Sequence, residues 1–299
     1  MLERLNRPER LDFLAMKFGC RAVTDFCLEN AYSDLHGGFG LMLHTHFPLV
    51  YRDLFGEQQD SGMVRVYVLR PAPSLQGSIM ANDMFSFELI LFGAATRHAS
   101  ACAEALGQLG INGITRNRYK FGVERIERIA PEDISIIWST EGGWNVRHLT
   151  PTSAVELLNR PFTAELWQLQ FVSPAAIKSD NNLLRDGLSP LIFFERLLGR
   201  AQLLATQQAG GPLLDNETKQ CLIDSAKHIR VVRDDTRWIA QTRYSVRQQQ
   251  RSEFGGLMGN LLLRGQSELL QGWLNLAPWM HVGSKTSFGL GQCKFLSAN

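Results

Sequence analysis

Three histidines lie close together near the start of the chain, at His36, His44 and His46. Imidazole titrates near neutral pH, so histidine is the side chain most often used as a general acid or base. If this segment is helical, residues two apart face different directions, so His44 and His46 cannot both face one bound group. We therefore treat the three histidines as alternatives for one catalytic role.

Structural roles for these histidines stay open as well. The apolar face of the predicted helix, which includes Phe39, Leu43 and Phe47, comes nearer to position 46 than to position 44. His46 is therefore also a candidate core residue. His44 is also a candidate surface residue without a role.

A second set of residues suited to chemistry closes the chain. Residues 281–292 read HVGSKTSFGLGQ, with Gly283, Gly289 and Gly291 around Lys285. Glycine lets backbone N–H groups approach a ligand closely, and these groups with a mobile ammonium suit a phosphate. Both standard nucleotide-binding loops are excluded, because the glycines follow the lysine and the loop leads into a strand. His281 either contacts the ligand or binds loop carbonyls and shapes the turn.

Basic residues cluster in two places. One cluster is Arg116, Arg118 and Lys120; the other is a stripe of Arg230, Arg233, Arg237, Arg243, Arg247 and Arg251. On a continuous strand, the odd-numbered positions from 243 to 251 share one face. Such a guanidinium-rich face suits the phosphates and guanines of a nucleic-acid stem. A solubilising outer strand is the alternative.

Composition limits the class of protein. The chain has 299 residues, 44% of them hydrophobic and 20% charged, as in ordinary globular proteins. The absence of long apolar runs and of a signal-peptide core predicts a cytoplasmic protein with no membrane association. The net charge of +2 does not by itself indicate a nucleic-acid-binding protein, so any such binding must come from local clusters of basic residues. Five scattered cysteines and an isolated His-x-His pair predict no metal and no cofactor.

The predicted elements repeat in the two halves of the chain. The first half contains strands at 12–27, 64–69, 84–92 and 121–126, a loop at 30–34, a helix at 38–55 kinked by Pro48, and a helix at 99–109 capped by Gly110. The second half contains strands at 164–172, 229–247, 254–263 and 293–296, a helix from Ser189 to about 204, and a helix from Ser267 to 277 ended by Pro278.

Each half thus has the order β-α-β-β-α-β, which is the ferredoxin-like split motif. The sequence predicts an α+β protein with two tandem ferredoxin-like domains, residues 1–155 and residues 156–299. In each half, a glycine-containing loop with basic residues precedes the last strand.

Within this order, the loop from His281 to Gly291 resembles the C-terminal glycine-rich signature of CRISPR-associated endoribonucleases, which cut precursor CRISPR RNA within its repeats. Residues 110–120 resemble the equivalent loop of the first domain, and residues 35–43 resemble a glycine-bearing helix start of the same superfamily. The resemblance implies tandem RNA-recognition-like folds and metal-free cleavage by attack of a 2′-hydroxyl on the adjacent phosphate. It places the catalytic histidine in the first helical segment, where His44 and His46 lie.

The resemblance also implies partners: the repeat RNA hairpin, the mature guide RNA and other subunits of a CRISPR effector complex. Other hypotheses stay open. In one hypothesis the chain is a non-catalytic RNA-binding subunit of the same superfamily. In another it is an unrelated two-domain protein whose glycine loop is structural. Cleavage that uses Arg21 or the arginine stripe in place of histidine is a further alternative.

Overall fold

The computed structural model of the chain describes residues 5–56, 64–208, 211–240, 242–245, 250–265 and 268–298. The chain divides into a first domain, residues 12–152, and a second domain that combines residues 153–299 with residues 1–11. Arg10 fixes the N-terminal segment on the second domain, because its guanidinium donates to the carbonyls of Ala205 and Gly211 at 3.0 and 2.7 Å. The sequence pattern contained no signal for this grouping.

The first domain is built on a six-stranded antiparallel sheet with the order β3-β5-β1-β6-β7-β8. Its helices pack on one face of this sheet and enclose an apolar core. The elements are β1 (Phe13–Ala22), β2 (Phe26–Leu28), α1 (Ala31–His46), α2 (Pro48–Phe55), β3 (Tyr67–Pro71), β4 (Gly77–Ile79), β5 (Met84–Phe92), α3 (Ala99–Asn112), β6 (Phe121–Ile129), β7 (Ile134–Ser139) and β8 (Gly143–Trp144).

The second domain has a main sheet with the order β12-β16-β9-β17, and β13 also pairs with β16. Its elements are α4 (Ala154–Leu158), β9 (Leu166–Ala175), β10 (Lys178–Ser179), β11 (Asn182–Leu183), α5 (Pro190–Thr206), α6 (Asn216–Ala226), β12 (Arg230–Asp234), β13 (Arg237–Ile239), β14 (Thr242–Ser245), β15 (Gln250–Glu253), β16 (Gly256–Arg264), α7 (Glu268–Met280) and β17 (Cys293–Ser297).

Both main sheets contain the ferredoxin-like arrangement, in which the first strand lies between the third and the fourth. In the first domain β1 pairs with β5 and β6, and in the second β9 pairs with β16 and β17. The predicted tandem ferredoxin-like α+β fold is confirmed.

Helix boundaries in the first domain differ from the predicted ones in two places. The predicted loop at 30–34 is wrong, because α1 begins at Ala31 and the side chain of Asn30 accepts the N–H of Ser33 at 3.0 Å. Asparagine is a favoured N-cap because it satisfies such a free donor. Helix α3 continues past the predicted cap at Gly110 to Asn112, and it is capped by Gly113, whose φ of 89° suits glycine. The interruption at Pro48 is as predicted.

Helix α7 of the second domain runs two residues beyond Pro278, which was predicted to end it. The proline removes one hydrogen bond near the end of the helix, while burial of Ala277 and Met280 favours the helical path. The predicted N-cap Ser267 lies outside the described residues. No helix among the described residues is long and apolar enough to cross a membrane.

Helices α4 and α7 approach closely at Gly272. A Cβ at this position would lie 2.0 Å from the carbonyl oxygen of Leu158. We expect Gly272→Ala to lower the free energy of unfolding by about 2 kcal/mol or more, because backbone cannot yield as a flexible side chain does. Gly199→Ala on α5 is the control, since its Cβ would meet no atom within 4 Å. It should raise stability by about 1 kcal/mol through helix propensity. Urea denaturation of both variants measures the difference, and equal effects would contradict the packing argument.

Candidate nucleic-acid interface

His36 is engaged in aromatic packing on α1. Its Nε2 lies 2.9 Å from the hydroxyl of Tyr67, and the two rings stack with centroids 5.9 Å apart. The ring of Phe55 lies 5.4 Å from the imidazole on another side. His36 is thus held in place within the first domain and partly covered by its neighbours.

His44 and His46 lie in the last turn of α1, and both are exposed. The core role left open for His46 is therefore excluded. The ring of His44 packs edge-on against Tyr51 of α2, with centroids 5.1 Å apart and an angle of 86°. Tyr51 in turn stacks on Phe55 at 4.8 Å. His44 is thus accessible to a ligand and oriented by a fixed aromatic ring.

A third group of titratable residues was not found from the sequence. Oδ2 of Asp53 on α2 accepts a hydrogen bond from Arg97 at 2.9 Å and lies 3.0 Å from Nε2 of His98, the residue that precedes α3. The pKa of Asp53 is lowered, first by the hydrogen bond from Arg97 and then by His98. Asp53 is distant in sequence from the other two, so only the packing of α2 against the start of α3 reveals the cluster.

The loop between α3 and β6 is held in a defined shape. Ile114 and Tyr119 form an isolated β-bridge, and the ring of Tyr119 stacks on Phe26 with centroids 5.7 Å apart. Thr115 and Arg118 have positive φ angles of 64° and 53°, which non-glycine residues adopt at a cost. The strained backbone of a fixed loop is typical of functional sites.

The cations of this loop are not neutralised. Arg116, Arg118 and Lys120 are exposed and have no acidic partner among the described residues. Arg21, the alternative catalytic arginine, differs from them because it forms an ion pair with Glu124 and also donates to the carbonyl of Asn82 at 3.1 Å. The loop is therefore available to phosphates, whereas the charge of Arg21 is already matched.

The arginine stripe of the second domain is not one strand. Strands β14 and β15 form an antiparallel hairpin in which Tyr244 is opposite Arg251 and Arg243 is opposite Ser252. The predicted continuous ribbon through 243–251 is thus wrong, because the chain reverses inside it. Arg247 lies outside the described residues.

The other arginines of the stripe lie on the edge of the main sheet. Arg230 and Arg233 on β12 and Arg237 on β13 are exposed. Arg233 pairs with Asp235 at 2.6 Å, and this carboxylate weakens the attraction of Arg233 for an anionic ligand. Arg230 and Arg237 have no acidic partner in the described ranges, so their charges are available to an anionic ligand.

The glycine-rich loop, residues 281–292, is fixed on the end of β9. Gly291 N donates to the carbonyl of Pro174 at 2.9 Å, and Gly289 N donates to the carbonyl of Thr286 at 2.9 Å. A Cβ at Gly291 would lie 1.9 Å from the carbonyl oxygen of Val282. These glycines therefore allow the loop to pack on its own backbone, and two of the expected amide donors are used inside the protein.

The side chains of His281 and Lys285 in this loop are also engaged. His281 is fully buried, and its Nδ1 lies 3.0 Å from the carbonyl oxygen of Leu290. This contact agrees with the turn-shaping role that the sequence left open for His281. The ammonium of Lys285 lies over the ring of Phe254, 4.8 Å from its centroid. Contact of Lys285 with a phosphate would compete with this cation–π interaction.

No group of three metal-ligating residues lies together within the part of the chain that the structure describes. The candidate functional groups are exposed imidazoles on the first domain and exposed cations on each of the two domains.

Gly113 maintains the shape of the loop between α3 and β6, residues 113–120, which we call the basic loop. A Cβ there would lie 2.4 Å from the backbone of Arg118, and its φ of 89° disfavours other residues. We expect Gly113→Ala to lower the free energy of unfolding by about 2 kcal/mol and to expose the bonds after Arg116 and Arg118 to trypsin. Gly122→Ala, whose Cβ would meet no atom within 4 Å, is the matched control. Denaturation and timed tryptic digestion measure the two effects; identical digestion of both variants would show that Gly113 does not define the loop.

Comparison with protein families gives a match in each domain. Residues 169–293 match the family of the CRISPR-associated endoribonuclease Cas6. Residues 11–151 match the family of an N-terminal domain. Comparison with curated protein sequences gives no significant match.

Solved structures resemble the chain over nearly its whole length. A Cas6 product complex (TTHB231) matches with a TM-score of 0.63 and 17% identity, covering 96% of this chain and 100% of that one. The Thermus thermophilus Cas6 (TTHB231) matches with a TM-score of 0.60 and 16% identity over 95% and 98% of the two chains. A partial Cas6-RT-Cas1–Cas2 complex matches at 0.64 and 15%, covering 96% of this chain and 46% of that chain.

At such low identity the structural matches establish the fold alone, and the Cas6 family match is confined to residues 169–293. The resemblance inferred from the closing glycine-rich loop is confirmed, because that loop lies inside the matched residues. Residues 169–293, which lie in the second domain, thus resemble the family of CRISPR-associated Cas6 endoribonucleases.

Proposed function

We propose that the protein is a metal-independent endoribonuclease that cleaves precursor CRISPR RNA within its repeats and stays bound to the mature guide RNA. One observation carries the proposal: a Cas6 family domain is joined to a first domain that presents unneutralised cations and exposed histidines. The solved Cas6 product complex supports it by similarity of fold.

The chemistry requires two proton transfers and a charged site for phosphorus. The 2′-oxygen bonds to the adjacent phosphorus while a base removes its proton; the bond from phosphorus to the 5′-oxygen breaks, and an acid protonates that oxygen. The products are a 2′,3′-cyclic phosphate and a 5′-hydroxyl. We assign the base to His44, because Tyr51 orients its ring and solvent reaches it. His46 and His36 are the alternatives for this role.

RNA binding is assigned to the basic surfaces of the two domains. Arg116, Arg118 and Lys120 contact backbone phosphates, and Arg230 and Arg237 contact them from the second domain. The hairpin strands with Arg243 and Arg251, the residue Arg247, and the loop residues Lys285 and Gly283 complete the proposed surfaces. His281, Gly289 and Gly291 are buried, so we assign them the shape of the loop and no direct contact with RNA. The partners are the repeat RNA hairpin, the guide RNA and other CRISPR effector subunits, in line with a solved Cas6-RT-Cas1–Cas2 complex of similar fold.

Cleavage of a repeat-hairpin RNA tests the mechanism. We expect cutting in the presence of EDTA, products with a 2′,3′-cyclic phosphate, and no cutting when the nucleotide before the cut carries a 2′-deoxy sugar. We expect His44→Ala to lower the rate about a hundredfold or more, because proton transfer contributes about that much. His228→Ala, an exposed histidine of the second domain with no assigned role, should keep the wild-type rate.

Single-turnover rates identify the base when they are measured for these variants and also for His46→Ala and His36→Ala. Full rate in His44→Ala with a reduced rate in His46→Ala would move the role to His46. A requirement for Mg²⁺ would reject the mechanism as a whole.

The salt dependence of RNA binding tests the basic loop. We expect the double variant Arg116→Ala, Arg118→Ala to reduce the slope of log affinity against log salt by about 0.7 for each phosphate that the protein no longer neutralises. Arg21→Ala is the control and should leave the slope unchanged, since Glu124 already pairs with Arg21. Equal slopes in both variants, measured by fluorescence anisotropy, would exclude the loop from the interface.

The second candidate function is that of a non-catalytic RNA-binding subunit of a CRISPR effector complex. It is favoured by the lack of a second described side chain bonded to His44 that would serve as its partner in proton transfer. Tight, salt-dependent binding of repeat RNA without any cleavage would establish this alternative.

A further inference from the structure

The second domain buries an arginine that the proposed chemistry does not use. Arg200 on α5 is 5% exposed, and its Nε donates to the carbonyl of Met280 at 2.6 Å. Nη1 and Nη2 are buried without a hydrogen-bond partner among the described residues. Burial lowers the pKa of the guanidinium to about 9. Such a cation costs free energy, because it has given up its hydration for a single hydrogen bond.

The carbonyl that Arg200 binds marks the end of α7. Met280 is the last helical residue, and the next residue, His281, turns the chain with a φ of 63°. Carbonyls at a helix C-terminus lack partners inside the helix and carry partial negative charge, so a guanidinium is favourable there. Arg200 therefore fixes the point at which the chain leaves α7 and enters the glycine-rich loop.

The rest of the loop is held by separate contacts with the end of β9. Ser173 Oγ donates to the carbonyl of Gly289 at 2.8 Å, and Ser284 N donates to the carbonyl of Ala176 at 2.9 Å. These contacts do not involve Arg200. Removal of Arg200 would thus release the entry of the loop while its far side stays attached to β9.

We propose that Arg200 is a positioning residue for RNA binding, which acts through Met280 to hold the entry of the glycine-rich loop. Its buried charge serves this position and adds little to stability. Unpaired buried polar groups persist at functional sites, where the surrounding fold maintains them. Arg200 does not touch the RNA, since its Nη atoms are covered by protein. The inference rests on the RNA binding proposed above.

Arg200→Met tests this role, because it replaces the guanidinium with an apolar chain. The melting temperature should change little, since the absence of the hydrogen bond is offset by removal of an unpaired cation. The affinity for a repeat-hairpin RNA should fall roughly tenfold, and amide hydrogen exchange at Val282 and Ser284 should accelerate. Arg200→Lys, which retains a cationic donor, should restore part of the affinity.

Arg10→Met is the matched control, because Arg10 is also a buried arginine of the second domain that binds backbone carbonyls. We expect it to lower the melting temperature and to leave the RNA affinity of the folded protein unchanged. The same pattern in Arg200→Met would make Arg200 purely structural and overturn the proposal.

Hydrogen exchange separates this proposal from the proposed function. If the wild-type protein binds no repeat RNA, the proposed function fails. The hydrogen-exchange result alone then decides whether Arg200 positions the glycine-rich loop. Faster exchange of the loop in Arg200→Met then retains Arg200 as the residue that positions the loop. Unchanged exchange rejects it, whatever the RNA result.

Discussion

The central position of the first strand in each sheet determines where the functional loops lie. Strand β1 pairs on both edges, with β5 and β6, and β9 pairs in the same way with β16 and β17. Because the last strand runs antiparallel to the first, the loop before the last strand must lie at the end of the first. The basic loop thus meets Val23, whose N–H donates to the carbonyl of Lys120 at 2.9 Å, and the glycine-rich loop meets Pro174. Backbone pairing, more than any side chain, places both candidate RNA-binding loops.

Charge at this interface depends on local pairing more than on the number of cations. Arg21 and Arg233 each have a carboxylate partner, whereas Arg116 and Arg118 have none among the described residues. The net charge of +2 therefore understates the positive surface available to a polyanion. The same reasoning separates Arg200, whose guanidinium is buried beside the last carbonyl of α7, from cations that are exposed to solvent.

Local sequence signals predicted the bounds of an element well where tertiary packing did not oppose the local preference of the chain. Strand β5 has the predicted bounds, and α5 begins at the predicted Ser189-Pro190 pair, where the Ser189 hydroxyl accepts the N–H of Ile192 at 3.3 Å. The errors at Gly110 and Pro278 have one cause. Both residues weaken a helix locally, but burial on the neighbouring sheet or helix carries the helix past them.

The sequence by itself determined the tandem α+β order, the family resemblance of the closing loop, and the residue types suited to RNA chemistry, because these depend on periodicity and on short motifs. Only the tertiary structure decided which residues are accessible and which are engaged. In the fold His46 is exposed, His36 packs beside Tyr67, Asp53 contacts His98, and Arg200 is buried at the end of α7. Such contacts join residues distant in the chain, so they depend on packing between elements and leave no mark in local sequence.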